Sequence, residues 1–160
     1  MSITNKQIDM ETSVCKKPIV YVGMAGDIVH YGHINILKHA SELGTVIVGL
    51  LSDSAIKSYK RTPIIPFIHR KIVIENIVGV DRVMEQDTLD YSTNLEKIRP
   101  DYVVHGNDWK SGPQQETRAR VIKILNAWGG QLVEPEYTKG ISTTQIIETV
   151  KANIVFEEGM

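Results

Sequence analysis

Two histidines, His30 and His33, lie three residues apart around Gly32, directly after an apolar run and directly before an amphipathic one. At a helix opening this spacing puts both imidazoles on one side of the first turn. The unpaired N–H groups and the positive end of the helix dipole point the same way, which favours a phosphate group. Gly32 removes a side chain where a phosphate would come close. The segment predicts a nucleotide site, with simple capping of the helix as the alternative.

A basic segment over residues 57–62 follows the second apolar run, and Pro63 and Pro66 come after it. Its Lys60 could fold over a triphosphate as part of a mobile clamp, or the segment could be a solvated basic loop. Arg70 lies near the start of the next helical pattern. Its planar guanidinium could hold two phosphate oxygens, or it could be an exposed helix residue.

A glycine turn with polar and aromatic neighbours follows the fourth apolar run. It consists of His105, Gly106, Asn107, Asp108 and Trp109. Asp108 could accept a hydrogen bond from a ribose hydroxyl or a base amino group, and Trp109 could form a wall of the pocket. The alternative is an Asx-type turn with a tryptophan in the core.

Three hydroxyl side chains, Ser142, Thr143 and Thr144, open the last helical pattern after Gly140 and Ile141. Hydroxyls at a helix N-terminus can bind phosphate oxygens as well as cap the helix. Capping explains Ser142 by itself, but it explains the run of three less well. We therefore expect a second phosphate-binding position here.

Strand and helix patterns alternate along the chain between these clusters. Strands are predicted over residues 19–22, 46–51, 82–84, 102–105 and 131–133. Helices are predicted over residues 34–43, 66–77, 95–98, 115–128 and 143–151, with Pro66 in a first helical position and Ser142 as an N-cap. Repeated β-α-β units predict a single α/β domain, a Rossmann-like doubly wound sheet of five parallel strands. Ligands of such sheets lie beyond the carboxyl ends of the strands at the switch point, where His30 and His33 fall.

Composition narrows the class of protein. The chain has 160 residues, a formal net charge of −1 and a single cysteine, Cys15. These values indicate one domain over residues 18–151, no general affinity for nucleic acid and a reducing compartment, which we take to be the cytoplasm. Residues 1–17 are expected to form a polar leader, and residues 152–160 a tail or the start of a linker. No apolar run is long enough to span a membrane.

The clusters, in this order, resemble the cytidylyltransferase family of the HxGH nucleotidyltransferase superfamily over roughly residues 19–149. His30 to His33 match the HxGH motif, and Gly140 to Thr144 match the GIST(S/T) helix opening. The resemblance implies transfer of CMP from CTP to a phosphate or phosphonate, with loss of pyrophosphate. It also implies a homodimer and a Mg²⁺ cofactor held mainly by the triphosphate.

Within that family the chain looks most like the phosphonate branch, whose acceptors are 2-hydroxyethylphosphonate, 2-aminoethylphosphonate or similar compounds. Some members are fused to a phosphoenolpyruvate mutase domain. Glycerol-3-phosphate and choline-phosphate branches typically carry a Thr-Phe-Asp turn where this chain has Ala25-Gly26-Asp27. They also carry an arginine at the position of Tyr137, and the family often has aspartate at the position of Asn107. A phosphomonoester acceptor such as glycerol 3-phosphate is the alternative.

The motif match also implies roles for individual residues. His30 and His33 would stabilise the α-phosphate, with Lys60 and Arg70 holding phosphates of CTP or the acceptor. The nucleotide would be bound by Met24, Ala25, Gly26, Asp27, Gly32, His105, Gly106, Asn107, Asp108, Trp109, Ile141, Ser142, Thr143 and Thr144. Asp108 and Trp109 would lie beside the ribose and cytosine, and the hydroxyls beside the β- and γ-phosphates.

Three other functions compete with this one. An adenylyltransferase of the same superfamily commonly has an arginine where this chain has Ile147. A class I tRNA synthetase fragment would carry a Lys-Met-Ser-Lys-Ser loop, which the sequence lacks. A regulatory module could bind nucleotide without turnover, although the intact histidine and hydroxyl motifs argue against it.

Overall fold

Five short apolar runs form one parallel sheet in the computed structural model, which describes residues 16–158. The strands are β1 (Ile19–Met24), β2 (Thr45–Leu51), β3 (Arg82–Gln86), β4 (Tyr102–Val104) and β5 (Gln131–Val133). The helices are α1 (Tyr31–Leu43), α2 (Asp53–Lys57), α3 (Phe67–Glu75), α4 (Ser92–Ile98), α5 (Gln115–Asn126) and α6 (Thr143–Glu158). A short 3-10 helix spans Asn107–Lys110.

The strand order is β3-β2-β1-β4-β5, and every neighbouring pair is parallel. The chain therefore winds outward in one direction from β1 to β3 and returns to the other side of β1 with β4. This confirms the predicted doubly wound five-stranded fold. The switch point lies between β1 and β4, where the two strand ends leave a crevice.

Both faces of the central strands are buried, because consecutive strand residues point to opposite sides of the sheet. On one face Val20, Val22 and Val48 belong to a core that includes Leu37 of α1 and Ile74 of α3. The opposite face has a core of its own, built around Tyr21, Ile47, Val103, Leu95, Val121 and Leu125. Two helices on each side therefore fix the sheet, and the carboxyl ends of its strands become a firm base for a site.

The helix boundaries differ from the sequence prediction at several places. Helix α1 begins at Tyr31 rather than at residue 34, and α6 continues to Glu158 instead of ending at residue 151. Helix α2 forms directly before the predicted basic loop, where no element was expected. Pro66 is the N-cap of α3 rather than its first helical residue. The leader predicted for residues 1–17 lies almost wholly outside the described residues. No helix in the described part of the chain is long and apolar enough to cross a membrane.

Candidate active site

The two histidines of the HxGH motif cap the first turn of α1. His30 is the N-cap residue, and its Nδ1 accepts a hydrogen bond from the backbone N–H of Gly32 at 3.0 Å. In return, the backbone N–H of His30 donates to Nδ1 of His33 at 3.2 Å. The ring centroids lie 4.1 Å apart with a tilt of 54°. The capping alternative is thus correct for one nitrogen of each ring, and it holds both rings in place.

This capping also sets the tautomer of both rings. A nitrogen that accepts an N–H has its lone pair free, so the proton of each neutral imidazole is on Nε2. Burial, together with the nearby His30 and Lys60, lowers the pKa of His33 to about 4. Burial also lowers the pKa of His30. Near neutral pH the pair therefore offers two fixed Nε2–H donors, which an anion can use.

Gly32 makes this arrangement possible for a reason that the sequence did not show. A Cβ at position 32 would lie 2.8 Å from Cε1 of His30, closer than atoms of this kind approach. The absence of a side chain at Gly32 therefore makes room for the His30 ring, which accepts a hydrogen bond from the N–H of Gly32. Gly32 also lines the cleft, so the space that it was expected to leave for a phosphate stays a prediction.

The opening of α6 faces the opening of α1. Ser142 caps α6, since its Oγ accepts from the N–H of Gln145 at 3.1 Å, as predicted. Thr143 Oγ1 donates to the carbonyl of Ile28 at 3.4 Å, and Asn35 of α1 donates to Thr138 Oγ1 at 2.9 Å. These bonds bring two helix N-termini to one place, so that both positive dipole ends can act on the same anion.

Hydrogen bonds to Asp27 hold the basic segment over residues 57–62 and the residues that follow it. Both oxygens of this carboxylate accept hydrogen bonds, from the N–H groups of Ile64 and Ile65 and from the guanidinium of Arg61. Burial would raise the pKa of Asp27, but these donors outweigh it and hold the pKa below its usual value. Lys60 lies next to this anchor, with its Nζ 5.0 Å from the ring centre of Tyr59. The anchor fixes a lysine close enough to His33 to affect its pKa.

At the end of β4, His105 stacks flat on Trp109 with ring centres 3.8 Å apart. Trp109 is fully buried, and its Nε1 donates to Glu134 at 2.8 Å. Asn107 uses its Oδ1 to accept from the N–H of Tyr137 at 3.0 Å. Asp108 stays half exposed, with Oδ1 3.8 Å from Nδ1 of His105.

These elements enclose a cleft of about 270 Å³ at the switch point. It is lined by Val22, Gly23, Met24, Ala25, His30, Gly32, His33, Ile36, Tyr59, Lys60, Val104, His105, Gly106, Asp108, Tyr137, Thr138, Ser142, Thr143 and Thr144. Its polar groups are three imidazoles, one lysine, several hydroxyls and one carboxylate. Such a set suits a ligand that carries several negative charges and a polar organic part.

Comparison with known proteins identifies the family to which this cleft belongs. Residues 21–149 match the family described as Cytidylyltransferase-like. The chain belongs to the cytidylyltransferase-like family. The prediction of a nucleotidyltransferase of this type is confirmed at the level of the family.

Named relatives agree with this placement. An ethanolamine-phosphate cytidylyltransferase of Arabidopsis thaliana is 30% identical over 139 residues, which is 82% of this chain and 32% of that protein. The bifunctional protein HldE of a Marinomonas species is 35% identical over 139 residues, 85% of this chain and 28% of that protein. A solved structure, the lipopolysaccharide core biosynthesis protein of Thermoplasma volcanium, superposes with a TM-score of 0.66 at 25% identity, over 76% of this chain and 98% of that one. The chain spans about a third of the length of the curated relatives it matches.

Within this cytidylyltransferase-like domain, most of the expected site residues lie around the cleft, but Arg70 does not. Its guanidinium is buried and donates to the carbonyls of Ala25, Leu51 and Ile65 and to Asp53. The expected contact between Arg70 and phosphates is therefore corrected. Arg70 is a positioning residue that joins the ends of β1 and β2 to α3.

Five further residues of the expected nucleotide set stand behind the cleft rather than in its lining. Asp27 anchors the basic segment, Trp109 supports His105 from the core, and Asn107 holds Tyr137. Gly26 supplies a turn with φ of +57°, a conformation that glycine adopts at no steric cost. Ile141 precedes the hydroxyls without lining the cleft.

The cleft also contains residues that the sequence analysis did not propose. Thr138, Tyr59 and Ile36 line it, as does Tyr137, which was noted only as a departure from the family pattern. Tyr59 lies within the basic segment over residues 57–62, and Thr138 lies two residues before Gly140, so their position in the sequence was an available signal. Ile36 lies on α1 one turn after Gly32, and only the helix start at Tyr31 reveals that it faces the cleft.

The acidic groups of the cleft do not fit a metal held by the protein alone. Among the described residues there is no group of three or more His, Cys, Asp or Glu side chains that could bind a metal ion. Asp108 is the carboxylate that lines the cleft within the same range. A Mg²⁺ ion with the triphosphate as its main ligand stays a proposal, and no step below depends on it.

Proposed function

We propose that the chain transfers CMP from CTP to a small phosphonate and releases pyrophosphate. One observation carries this proposal: His30 and His33 are locked as paired Nε2–H donors in the same cleft as the hydroxyls that open α6. Fixed donors of this kind stabilise charge that develops on a phosphoryl group, because they need no reorganisation during the reaction.

The reaction would begin with attack by an oxygen of the acceptor phosphonate on the α-phosphorus of CTP. The new bond joins that oxygen to phosphorus, and the bond to the β-phosphate oxygen breaks as pyrophosphate leaves. A phosphonate oxygen is already anionic, so no general base has to remove a proton. The chain then has to bring two repelling anions together and hold the charge of the transition state.

The cleft offers a group for each part of CTP. We place the α-phosphate at the Nε2–H groups of His30 and His33, and the β- and γ-phosphates at the hydroxyls and N–H groups that open α6. Lys60 would neutralise negative charge shared by both substrates. Asp108, half exposed at the end of β4, can accept from the ribose hydroxyls or the cytosine amino group.

The choice of a phosphonate acceptor is supported by the resemblance to that branch and by Tyr137. This residue lines the cleft where related branches carry an arginine, so the cleft has one fixed cation fewer for a phosphomonoester. A phosphomonoester acceptor is the second candidate, favoured by the ethanolamine-phosphate cytidylyltransferases among the relatives.

Pyrophosphate release tests the proposal. The purified chain is incubated with CTP, ATP, GTP or UTP, each with and without 2-hydroxyethylphosphonate, and the phosphonate product is followed by phosphorus NMR. We expect release that requires both CTP and the acceptor. Turnover with ATP alone would identify an adenylyltransferase, and tight CTP binding without turnover for any acceptor would identify a regulatory module. Either result refutes the proposal.

The expected homodimer is a separate proposal, supported by apolar residues on α3. Ile68, Ile72 and Val73 are 59%, 53% and 49% exposed, which is unusual for such side chains in one group. We expect light scattering of the purified chain to give twice its 17.9 kDa mass, and Ile68→Glu to halve that value. A monomeric wild-type chain would contradict this. The fused mutase domain and the cytoplasmic location stay predictions.

A further inference from the structure

A second, smaller cavity of about 70 Å³ adjoins the cleft. It shares Gly23, Met24, Ala25, Tyr59 and His105 with the cleft, and none of its lining residues belongs to α6 or to the segment before it. An in-line reaction requires the acceptor to approach the α-phosphorus opposite the leaving pyrophosphate. With pyrophosphate at α6, this cavity lies on the side of the acceptor.

The wall of the cavity is apolar or uncharged throughout. Beyond the shared residues it consists of Leu51, Gln86, Leu89, Tyr91, Gln114 and Thr117. None of these side chains carries a charge, and burial lowers the pKa of the shared His105, so its ring is neutral near pH 7. An ammonium group here would lose its water without gaining a counter-charge, which is strongly unfavourable.

No carboxylate of a described residue lines this cavity, and three acidic residues on neighbouring elements have other surroundings. Asp90 accepts from Ser92 and from the guanidinium of Arg120. Glu134 receives two hydrogen bonds from Arg118 and one from Trp109. Asp108 lines the main cleft and not this cavity. An amine in the cavity would therefore find no acidic partner in its wall.

Among the residues that line this cavity but not the main cleft, two polar side chains can still bind a ligand. The amide of Gln86 is already used, because its Oε1 accepts from Tyr21 at 2.6 Å and its Nε2 donates to the carbonyl of Thr88 at 3.0 Å. By contrast, the side chains of Gln114 and Thr117 make no hydrogen bond to any other described residue. Both are partly buried on the α5 side of the cavity. They can donate to and accept from a hydroxyl or carbonyl group.

The volume limits the size of the group. A closed apolar cavity of ~150 Å³ accommodates a six-membered carbon ring. About 70 Å³ accordingly suits an end of two or three heavy atoms and is too small for a sugar ring. The two carbons and terminal oxygen of a hydroxyethyl group fit this limit.

We propose that this cavity binds the organic end of the acceptor and selects a short, uncharged, hydroxyl-bearing end over an ammonium-bearing one. The proposal rests on the proposed function and names its substrate class. Gln114 and Thr117 are the residues that determine specificity, because they line this cavity and not the main cleft and their side chains are not hydrogen-bonded to another described residue.

The test compares two acceptors of nearly equal size, 2-hydroxyethylphosphonate and 2-aminoethylphosphonate, with CTP. We expect kcat/KM to be at least about tenfold higher for the hydroxyl compound, since an unpaired buried charge costs more than 1.4 kcal/mol. The corresponding phosphomonoesters, 2-hydroxyethyl phosphate and ethanolamine phosphate, are measured in parallel. We expect the same preference in that pair, because the organic end and not the phosphorus group meets the cavity.

A matched pair of variants tests the role of the wall. Gln114→Glu places a carboxylate in the cavity and should shift the preference toward the amine by about tenfold or more. Gln115→Glu makes the same change of charge one residue later, on an exposed side chain outside the cavity, and should leave the preference unchanged. Circular dichroism confirms that both variants are folded.

The outcomes separate the two proposals. Equal or higher kcat/KM for the amine in the wild-type chain overturns the selection of an uncharged end, while pyrophosphate release still supports cytidylyl transfer. An equal response of the preference to Gln114→Glu and Gln115→Glu overturns the role of the cavity. Absence of pyrophosphate with all four acceptors refutes the proposed function, and the inference falls with it.

Discussion

His33 has two different tasks on its two ring nitrogens, and a pair of substitutions can separate them. Nδ1 accepts from the N–H of His30 and stabilises the start of α1. Nε2 carries the proton that we assign to the α-phosphate. The oxygen of asparagine takes nearly the position of Nδ1, whereas the amide nitrogen of glutamine takes nearly that of Nε2. His33→Asn therefore keeps the cap and loses the donor, and His33→Gln does the opposite.

The sizes of the two effects follow from these contacts. Loss of one donor to developing phosphoryl charge costs ~10²–10³ in kcat, or about 3–4 kcal/mol in the barrier. Loss of one cap bond costs about 1 kcal/mol in the free energy of unfolding. We expect His33→Asn to lose ~10²–10³ in kcat with near wild-type stability. His33→Gln should retain more activity and lose about 1 kcal/mol of stability.

Both quantities are measured on the same preparations. Pyrophosphate release with CTP and 2-hydroxyethylphosphonate gives kcat and KM, and urea unfolding followed by circular dichroism gives the free energy. His39→Asn is the control, because His39 is an exposed histidine on the same helix. It should change neither quantity. Wild-type turnover in His33→Asn, or lower stability in His33→Asn than in His33→Gln, would refute the assignment of the two nitrogens.

Three further predictions follow from the buried polar groups. The pKa of His33 is about 4 in the folded chain and 6.5 in the unfolded chain, so the unfolded chain binds a proton first as the pH falls. The free energy of unfolding, relative to that of His33→Asn, should therefore fall by on the order of 3 kcal/mol between pH 7 and pH 4. Urea unfolding measures this difference, and a difference that does not change with pH would contradict the prediction. Asp27→Asn places an amide N–H₂ where a carboxylate oxygen accepts, so one of its N–H partners loses its acceptor and the segment that carries Lys60 is held less firmly. We expect kcat/KM for CTP to fall about tenfold. Unchanged kinetics would show that the Asp27 anchor is dispensable. Arg70→Gln leaves three backbone carbonyls without their donor and should lower the free energy of unfolding by about 3 kcal/mol or more. A loss below about 1 kcal/mol in urea unfolding would refute the positioning role of Arg70.

Local patterns were sufficient to predict most of the fold. The five apolar runs became the five strands, because a parallel sheet covered on both faces requires continuous burial. The alternation of strands and helices then predicted a doubly wound parallel sheet, and the structure supplied the strand order. The missed helix α2 and the early start of α1 depend on side-chain caps, Ser52 and His30, that a hydrophobic pattern does not report.

The sequence also determined which segments carry the chemistry. The histidine pair, the basic segment, the turn after β4 and the hydroxyls of α6 all reach one crevice, because the carboxyl ends of parallel strands meet at one edge. Type and spacing were enough for this conclusion. They could not show the direction of each side chain within a segment.

Only the tertiary structure decided between neighbours of similar chemistry. Lys60 lines the cleft while Arg70 is buried, because the carbonyls of Ala25 and Leu51, which are distant in sequence, attract the guanidinium into the interior. The close approach of the His30 ring to Gly32 likewise appears only in the folded chain. The uncharged second cavity depends on residues from four separate segments of the chain. Such choices depend on groups that meet through folding, so a local pattern determines where the site is and long-range contacts determine what each residue does there.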